Sequence, residues 1–195
     1  MEFVARKSHE SEFPRDIRRV GEKYEIKLPW KNKRPVISTN YDMCQNRLKS
    51  LYYKLLKEPE LLKEYDSIMN DQLEKGIIES VPTEGTEPNN VHFMPYHAVV
   101  RQDKETTKLR VVYDGSAKKP QQTHSINDLL KTGPNYIPKL RDVLVKFRSH
   151  VVAVTSDIEK AFLMIRVNQV DRDMLRLLWL KDPFVMNSEI IQLHF

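Results

Sequence analysis

The sequence predicts a single α+β domain with an N-terminal extension. Two adjacent segments have helical periodicity, and several short runs are rich in β-branched and aromatic residues. Helices and strands are mixed along the chain without a regular βαβ alternation, which disfavours a parallel doubly wound sheet. With 195 residues, 40% of them hydrophobic, the chain is long enough to bury one sizeable core.

The charge balance favours polyanionic partners. The chain has 32 Lys and Arg against 27 Asp and Glu, a formal charge of +5. Cys44 is the only cysteine, so no intrachain disulfide and no thiolate metal cluster can form. The N-terminus is charged and the apolar runs are short, so we expect an intracellular chain outside the membrane, its compartment left open.

Residues 1–40 are predicted to be a polar lead-in or linker. Within it, the stretch Tyr24-Glu-Ile-Lys-Leu28 alternates apolar and polar side chains with period two. That pattern is typical of a half-exposed strand or of a linker docked on a neighbouring element. We prefer the docked linker.

Two amphipathic helices should follow, each with one buried face. Pro59 suits the first turn of the second helix, and Gly76 suits its C-terminal cap. The apolar residues with three- and four-residue spacing are Cys44, Leu48, Leu51, Tyr52 and Leu55, then Leu61, Leu62, Tyr65, Ile68, Met69 and Leu73.

A β-hairpin is predicted next, because residues 97–101 and 108–113 are β-rich and a short polar connection joins them. Alternation places Lys108 and Arg110 on one face, where they can meet a polyphosphate together. A solvated face with ordinary surface ion pairs is the equal alternative.

The segment that most suggests a catalytic site lies downstream of the hairpin. Residues 137–148 predict a packed helix, and residues 151–156 predict a buried strand that delivers Asp157 at its C-terminal end. A rigidly held carboxylate suits a two-Mg²⁺ site, although a cap on the following turn is the commoner role of an aspartate in this pattern, and both roles can hold at once. Residues 174–180 and 190–195 predict two further strands.

Other common catalytic patterns are missing from the sequence. The five glycines form no phosphate-binding loop, and the histidines have no zinc-site spacing. The histidines, to which we assign structural or surface roles, are His9, His92, His97, His124, His150 and His194.

Several blocks in order resemble the reverse transcriptase region of BEL/Pao-type retrotransposon polyproteins. The resemblance covers most of residues 24–195. The blocks are Tyr24-Glu-Ile-Lys-Leu-Pro-Trp30, Pro59-Glu-Leu-Leu-Lys-Glu-Tyr65, Gln72-Leu-Glu-Lys-Gly-Ile-Ile-Glu79, Pro95-Tyr-His-Ala-Val-Val-Arg101, Leu109-Arg-Val-Val-Tyr-Asp-Gly-Ser116, Thr132-Gly-Pro-Asn135 and Asp157-Ile-Glu-Lys-Ala-Phe162.

The resemblance implies a right-hand polymerase fold, of which this chain holds the fingers and the first part of the palm. Residues 41–119 and 168–195 would form fingers, and residues 120–167 the start of the palm. By similarity, Arg101 and Arg110 would grip the triphosphate of the incoming nucleotide, with Lys104 as the competitor of Arg101. Asp114 would help to hold the fingers near the template.

The resemblance also implies the remaining site residues. Asp157 would bind both Mg²⁺ ions with the carbonyl of Ile158 as an additional ligand, in the arrangement that activates a primer 3′-hydroxyl. Phe162 would exclude a 2′-hydroxyl by a steric clash, unless it is an ordinary buried aromatic residue.

The family's paired carboxylates, Tyr-x-Asp-Asp, do not occur in these residues. We therefore expect a fragment of an RNA-directed DNA polymerase that is inactive by itself. Its partners in the intact enzyme would be an RNA or DNA template-primer, a deoxynucleotide and the remaining polyprotein. Two alternatives stay open, a non-catalytic nucleic-acid-binding remnant and a helical adaptor that uses residues 44–73.

Overall fold

The computed structural model describes residues 17–21, 23–32, 35–82, 90–100, 109–122, 124–133, 135–158 and 161–195. Across these ranges the fold is mixed α+β, as predicted. The helices are α1 (Tyr41–Leu55), α2 (Pro59–Glu74), α3 (Ile126–Leu129), α4 (Leu140–Arg148) and α5 (Gln169–Arg172). The strands are β1 (Ile17–Val20), β2 (Lys23–Ile26), β3 (Glu79–Ser80), β4 (Tyr96–Val100), β5 (Leu109–Tyr113), β6 (Ile165–Val167), β7 (Arg176–Leu180) and β8 (Ile190–His194).

Helices α1 and α2 begin and end close to the predicted positions. Pro59 occupies the first turn of α2, and Gly76 follows its C-terminal cap with a φ of 56°, a left-handed conformation that glycine adopts without strain. Both helices turn their apolar face to the main core. Among the described helices, none is long and apolar enough to cross a membrane.

The main core lies between these helices and an antiparallel sheet with the order β3-β8-β7. Every residue of β7 is buried, and Trp179 stacks on Tyr65 with ring centroids 5.2 Å apart. The hydroxyl of Tyr96 donates to the Leu178 carbonyl oxygen. Strand β4 is therefore held against β7 by a buried polar bond as well as by apolar packing.

The predicted hairpin forms from β4 and β5. Its register pairs Tyr96 with Tyr113 and Val100 with Leu109, so these residues share the face turned to the core. The hydroxyl of Tyr113 donates to Oε1 of Gln72 on α2 over 2.8 Å. Most of this face therefore packs against the core, while Val100 at its end is 49% exposed.

The lead-in joins the body of the fold through a second sheet, in which β2 pairs antiparallel with β1 and parallel with β6. It is therefore both a strand and a docked segment. Hydrogen bonds to two buried carboxylates, those of Asp171 and Glu25, hold the lead-in in place. Asp171 accepts from the amide of Leu28 and the indole of Trp30, and Glu25 accepts from Nδ2 of Asn168 over 2.7 Å.

Two predictions about the region before β6 are wrong. Residues 151–156 form no strand and are exposed, and α4 forms but leaves its apolar side chains in solvent. A strand with apolar side chains on both faces needs neighbours on both faces, and no described strand lies beside this one. Together α4 and residues 152–154 line an open apolar groove of about 630 Å³.

Candidate functional site

The solvent face of the β4–β5 hairpin is the first part of the candidate site. Strand register places Arg110 opposite Val99, and His97 opposite Val112. These four residues therefore share the face that turns away from the core. Arg110 is exposed and has no hydrogen bond or ion pair with another described residue. Its guanidinium is available to an anion.

The predicted partners of Arg110 fall outside the described residues. Arg101, its competitor Lys104 and Lys108 all belong to residues 101–108. The described part of the hairpin presents Arg110 beside His97 on its solvent face.

The Asp114 carboxylate organises the turn that follows the hairpin. Its Oδ1 accepts from the Ser116 amide over 3.1 Å, and its Oδ2 accepts from the Arg47 guanidinium over 3.0 Å. Gly115 lies against α3, where the backbone N–H of Asn127 donates to the Gly115 carbonyl oxygen over 3.1 Å. Asp114 thus links the end of β5 to α1.

Asp157 lies in an exposed segment, residues 151–158, without regular secondary structure. Its Oδ1 accepts from the amide of the next residue, Ile158, over 2.9 Å. A capping aspartate accepts from an amide two or three residues further on, so this bond does not have cap geometry. Ile158 is exposed as well.

The residues around Asp157 do not by themselves suffice for a metal site. Carboxylate and carbonyl oxygens suit Mg²⁺, and Asp157 and Ile158 supply one of each. Within the described ranges, however, no group of three or more His, Cys, Asp or Glu side chains is arranged to hold an ion.

Phe162 is 90% exposed on the 3₁₀ turn Ala161–Met164. Its neighbour Leu163 packs against the main core and anchors the turn. The alternative that Phe162 is an ordinary buried aromatic residue is therefore wrong. An exposed aromatic ring at a fixed position is available to a bound molecule.

The structure does not join the candidate residues directly. No hydrogen bond or ion pair connects Arg110, Asp157 or Phe162 to one another in the described part of the chain. Arg110 belongs to the hairpin on the main core, whereas Phe162 directly precedes β6 of the second sheet.

Several buried polar residues were not predicted from the sequence. The hydrogen bond from Asn168 lowers the pKa of Glu25, which Arg18 also contacts. Burial lowers the pKa of His92, whose Nδ1 lies 2.8 Å from the Ser38 carbonyl oxygen. Of these, only Asn168 carries a local signal, because its side chain caps the short helix α5.

The fold and site together define a mixed α+β domain with a hairpin whose described solvent face carries Arg110 and His97. No family model matches this sequence, and it has no significant similarity to a curated protein or to a solved structure.

Proposed function

We propose that this chain is part of an RNA-directed DNA polymerase of the BEL/Pao retrotransposon type. In this proposal, α1, α2 and the strands β4, β5, β7 and β8 are fingers, and residues 120–167 begin the palm. The observation that carries the proposal is the position of Arg110 on the free face of an anchored hairpin.

The packing of the hairpin against the core keeps Arg110 on the solvent face. Because Tyr96, Leu109 and Tyr113 fix one face to the core, the opposite face cannot turn inward without a slip in strand register. A slip would expose three apolar side chains. The arginine is therefore held in solvent on a rigid element, an arrangement that favours binding of phosphate groups.

The other assignments follow from the sequence blocks. Asp157 and the Ile158 carbonyl would contribute oxygen ligands for Mg²⁺. The exposed ring of Phe162 would exclude a nucleotide with a 2′-hydroxyl by a steric clash. Arg101 would add a second cation to the triphosphate. When bound, Mg²⁺ would neutralise phosphate charge during nucleotidyl transfer.

These residues alone should not polymerise DNA. Two Mg²⁺ ions need more than one carboxylate, and the sequence contains no adjacent pair of aspartates. Nucleotide binding is accordingly a better test of the proposal than catalysis.

The test is titration calorimetry of the 195-residue chain with dTTP, first without metal and then with Mg²⁺. We expect binding that Mg²⁺ strengthens, and loss of the Mg²⁺-dependent gain in Asp157→Asn. Asp142→Asn, in the first turn of α4, is the matched control. Equal Mg²⁺ effects in all three proteins would contradict the assignment of Asp157.

A second candidate function is nucleic-acid binding without catalysis. It is favoured because no group of three or more His, Cys, Asp or Glu side chains in the described ranges is arranged to hold an ion. This candidate predicts that single-stranded DNA binds with strong salt dependence, whereas dTTP binds weakly or not at all. Comparing the two titrations at the same ionic strength separates the candidates.

A further inference from the structure

We infer that His97 is a second phosphate-contacting residue, which binds the same polyphosphate or nucleic-acid strand as Arg110. This inference rests on the proposed function, because it extends the phosphate site that Arg110 defines. The sequence alone gives His97 only a structural or surface role.

Strand register brings the two side chains to the same face. His97 on β4 pairs with Val112, which lies two residues after Arg110 on β5, so His97 and Arg110 are diagonal neighbours. Diagonal positions on one face of an antiparallel pair are roughly 7–8 Å apart. An arginine side chain is long enough to converge with an imidazole on one phosphate group across that distance.

The other residues of this face do not compete for either side chain. Val99 and Val112 occupy the opposite diagonal, and neither β4 nor β5 contains an acidic residue. His97 is exposed and, like Arg110, has no hydrogen bond to another described residue. Among the residues that the structure describes, the pair is therefore a cationic and hydrogen-bonding spot with no hydrogen-bonded or ion-paired counter-ion.

The chemistry of imidazole fits a phosphate oxygen. Even as a neutral ring it carries one N–H donor, and it gains a second donor and a charge when protonated. Because His97 lies on a packed strand, only its side-chain torsions are free, so little conformational entropy is lost on binding. The phosphate can come from a nucleoside triphosphate or from the backbone of a nucleic-acid strand.

The experiment compares His97→Val and His97→Asn with Arg110→Ala in the full chain. Valine suits a strand but has no donor, whereas asparagine keeps a donor. His124→Val removes an exposed histidine elsewhere and is the control. One set of titrations uses dTTP and the other uses a single-stranded thymidine oligonucleotide, at the same ionic strength.

We expect His97→Val to weaken binding about tenfold in at least one set, since hydrogen bonds to charged groups have that size. His97→Asn should lose less, and His124→Val should bind like the unaltered chain. Loss with dTTP alone identifies the triphosphate as the phosphate source, and loss with the oligonucleotide alone identifies the strand backbone.

The contradicting outcomes are distinct. If Arg110→Ala weakens binding while both His97 variants bind like the unaltered chain, the inference about His97 is wrong and the proposed function stands. If the unaltered chain binds neither probe, or if Arg110→Ala has no effect, the phosphate site fails and the inference fails with it. Circular dichroism melting shows whether each variant keeps its fold.

Discussion

Trp30 donates its indole N–H to Oδ1 of Asp171 over 3.0 Å, although 141 positions separate the two residues in sequence. Oδ2 of Asp171 accepts from the amide of Leu28 over 2.9 Å. Asp171 is buried, with 3% of its surface exposed. Asp171 therefore fastens the lead-in to the helix that follows β6.

Removing this carboxylate should destabilise the chain. We expect Asp171→Ala to lower the free energy of unfolding by about 2–3 kcal/mol, because two donors lose a charged acceptor. Trp30→Phe should lower it by about 1 kcal/mol, since only one bond is lost. Urea unfolding measures both values, and unchanged midpoints in both variants would show that the lead-in is not fastened here.

Gly115 is a position where a side chain cannot fit without movement. A Cβ atom there would lie 2.6 Å from Oδ1 of Asn127, whose Nδ2 donates to Oγ of Ser116 over 2.9 Å. We expect Gly115→Ala to cost about 1 kcal/mol, a moderate value because the side-chain amide can shift. The double variant Gly115→Ala with Asn127→Ala should be more stable than Gly115→Ala alone. Thermal melting checks this, and a double variant that melts lower would contradict the clash.

The buried imidazole of His92 should make stability depend on pH. Burial lowers its pKa below the ordinary value of 6.5, so the unfolded chain binds this proton more readily than the folded one. Its contribution is complete above about pH 6.5 and is lost as the pH falls through the folded pKa.

Unfolding free energies between about pH 7 and pH 5 should therefore fall with a slope of at most about 1.4 kcal/mol per pH unit for each such group. Burial also lowers the pKa of His194, which adds to the same slope. The variant His92→Gln should have a shallower slope, and the exposed-site control His124→Gln should not. An unchanged slope in His92→Gln would contradict the assignment.

The apolar groove beside α4 should make the chain associate. Val143 and Phe147 line the groove from α4, Val152 lines it from the facing segment, and all three are exposed. Exposed apolar surface of this kind favours association. Sedimentation should show a weight-average mass that rises with concentration, and the rise should be smaller in the double variant Val143→Lys, Phe147→Glu. Tyr53→Glu, an exposed site on α1, is the control. A monomer at every concentration would contradict this prediction.

Much of the fold could be predicted because its signals are local. The helical periodicity of α1 and α2, the proline and glycine at the ends of α2, and the short link of the hairpin each depend on neighbouring residues. The free face that carries Arg110 followed from the same alternation.

Pairings between distant segments could not be predicted. The parallel contact of β2 with β6 and the acceptor role of Asp171 depend on the whole fold. The wrong prediction of a strand at residues 151–156 has a related cause. Its pattern indicates what the segment would bury beside suitable partners, and no described element supplies them.

The most direct test of the phosphate site compares Arg110→Ala with Arg141→Ala, a control in which an exposed arginine is removed from α4. The measurement is the affinity for a single-stranded thymidine oligonucleotide as a function of salt concentration. We expect Arg110→Ala to weaken binding and to reduce the slope of log affinity against log salt by about 1, with no change in Arg141→Ala. Equal affinities and slopes in the two variants would contradict the account.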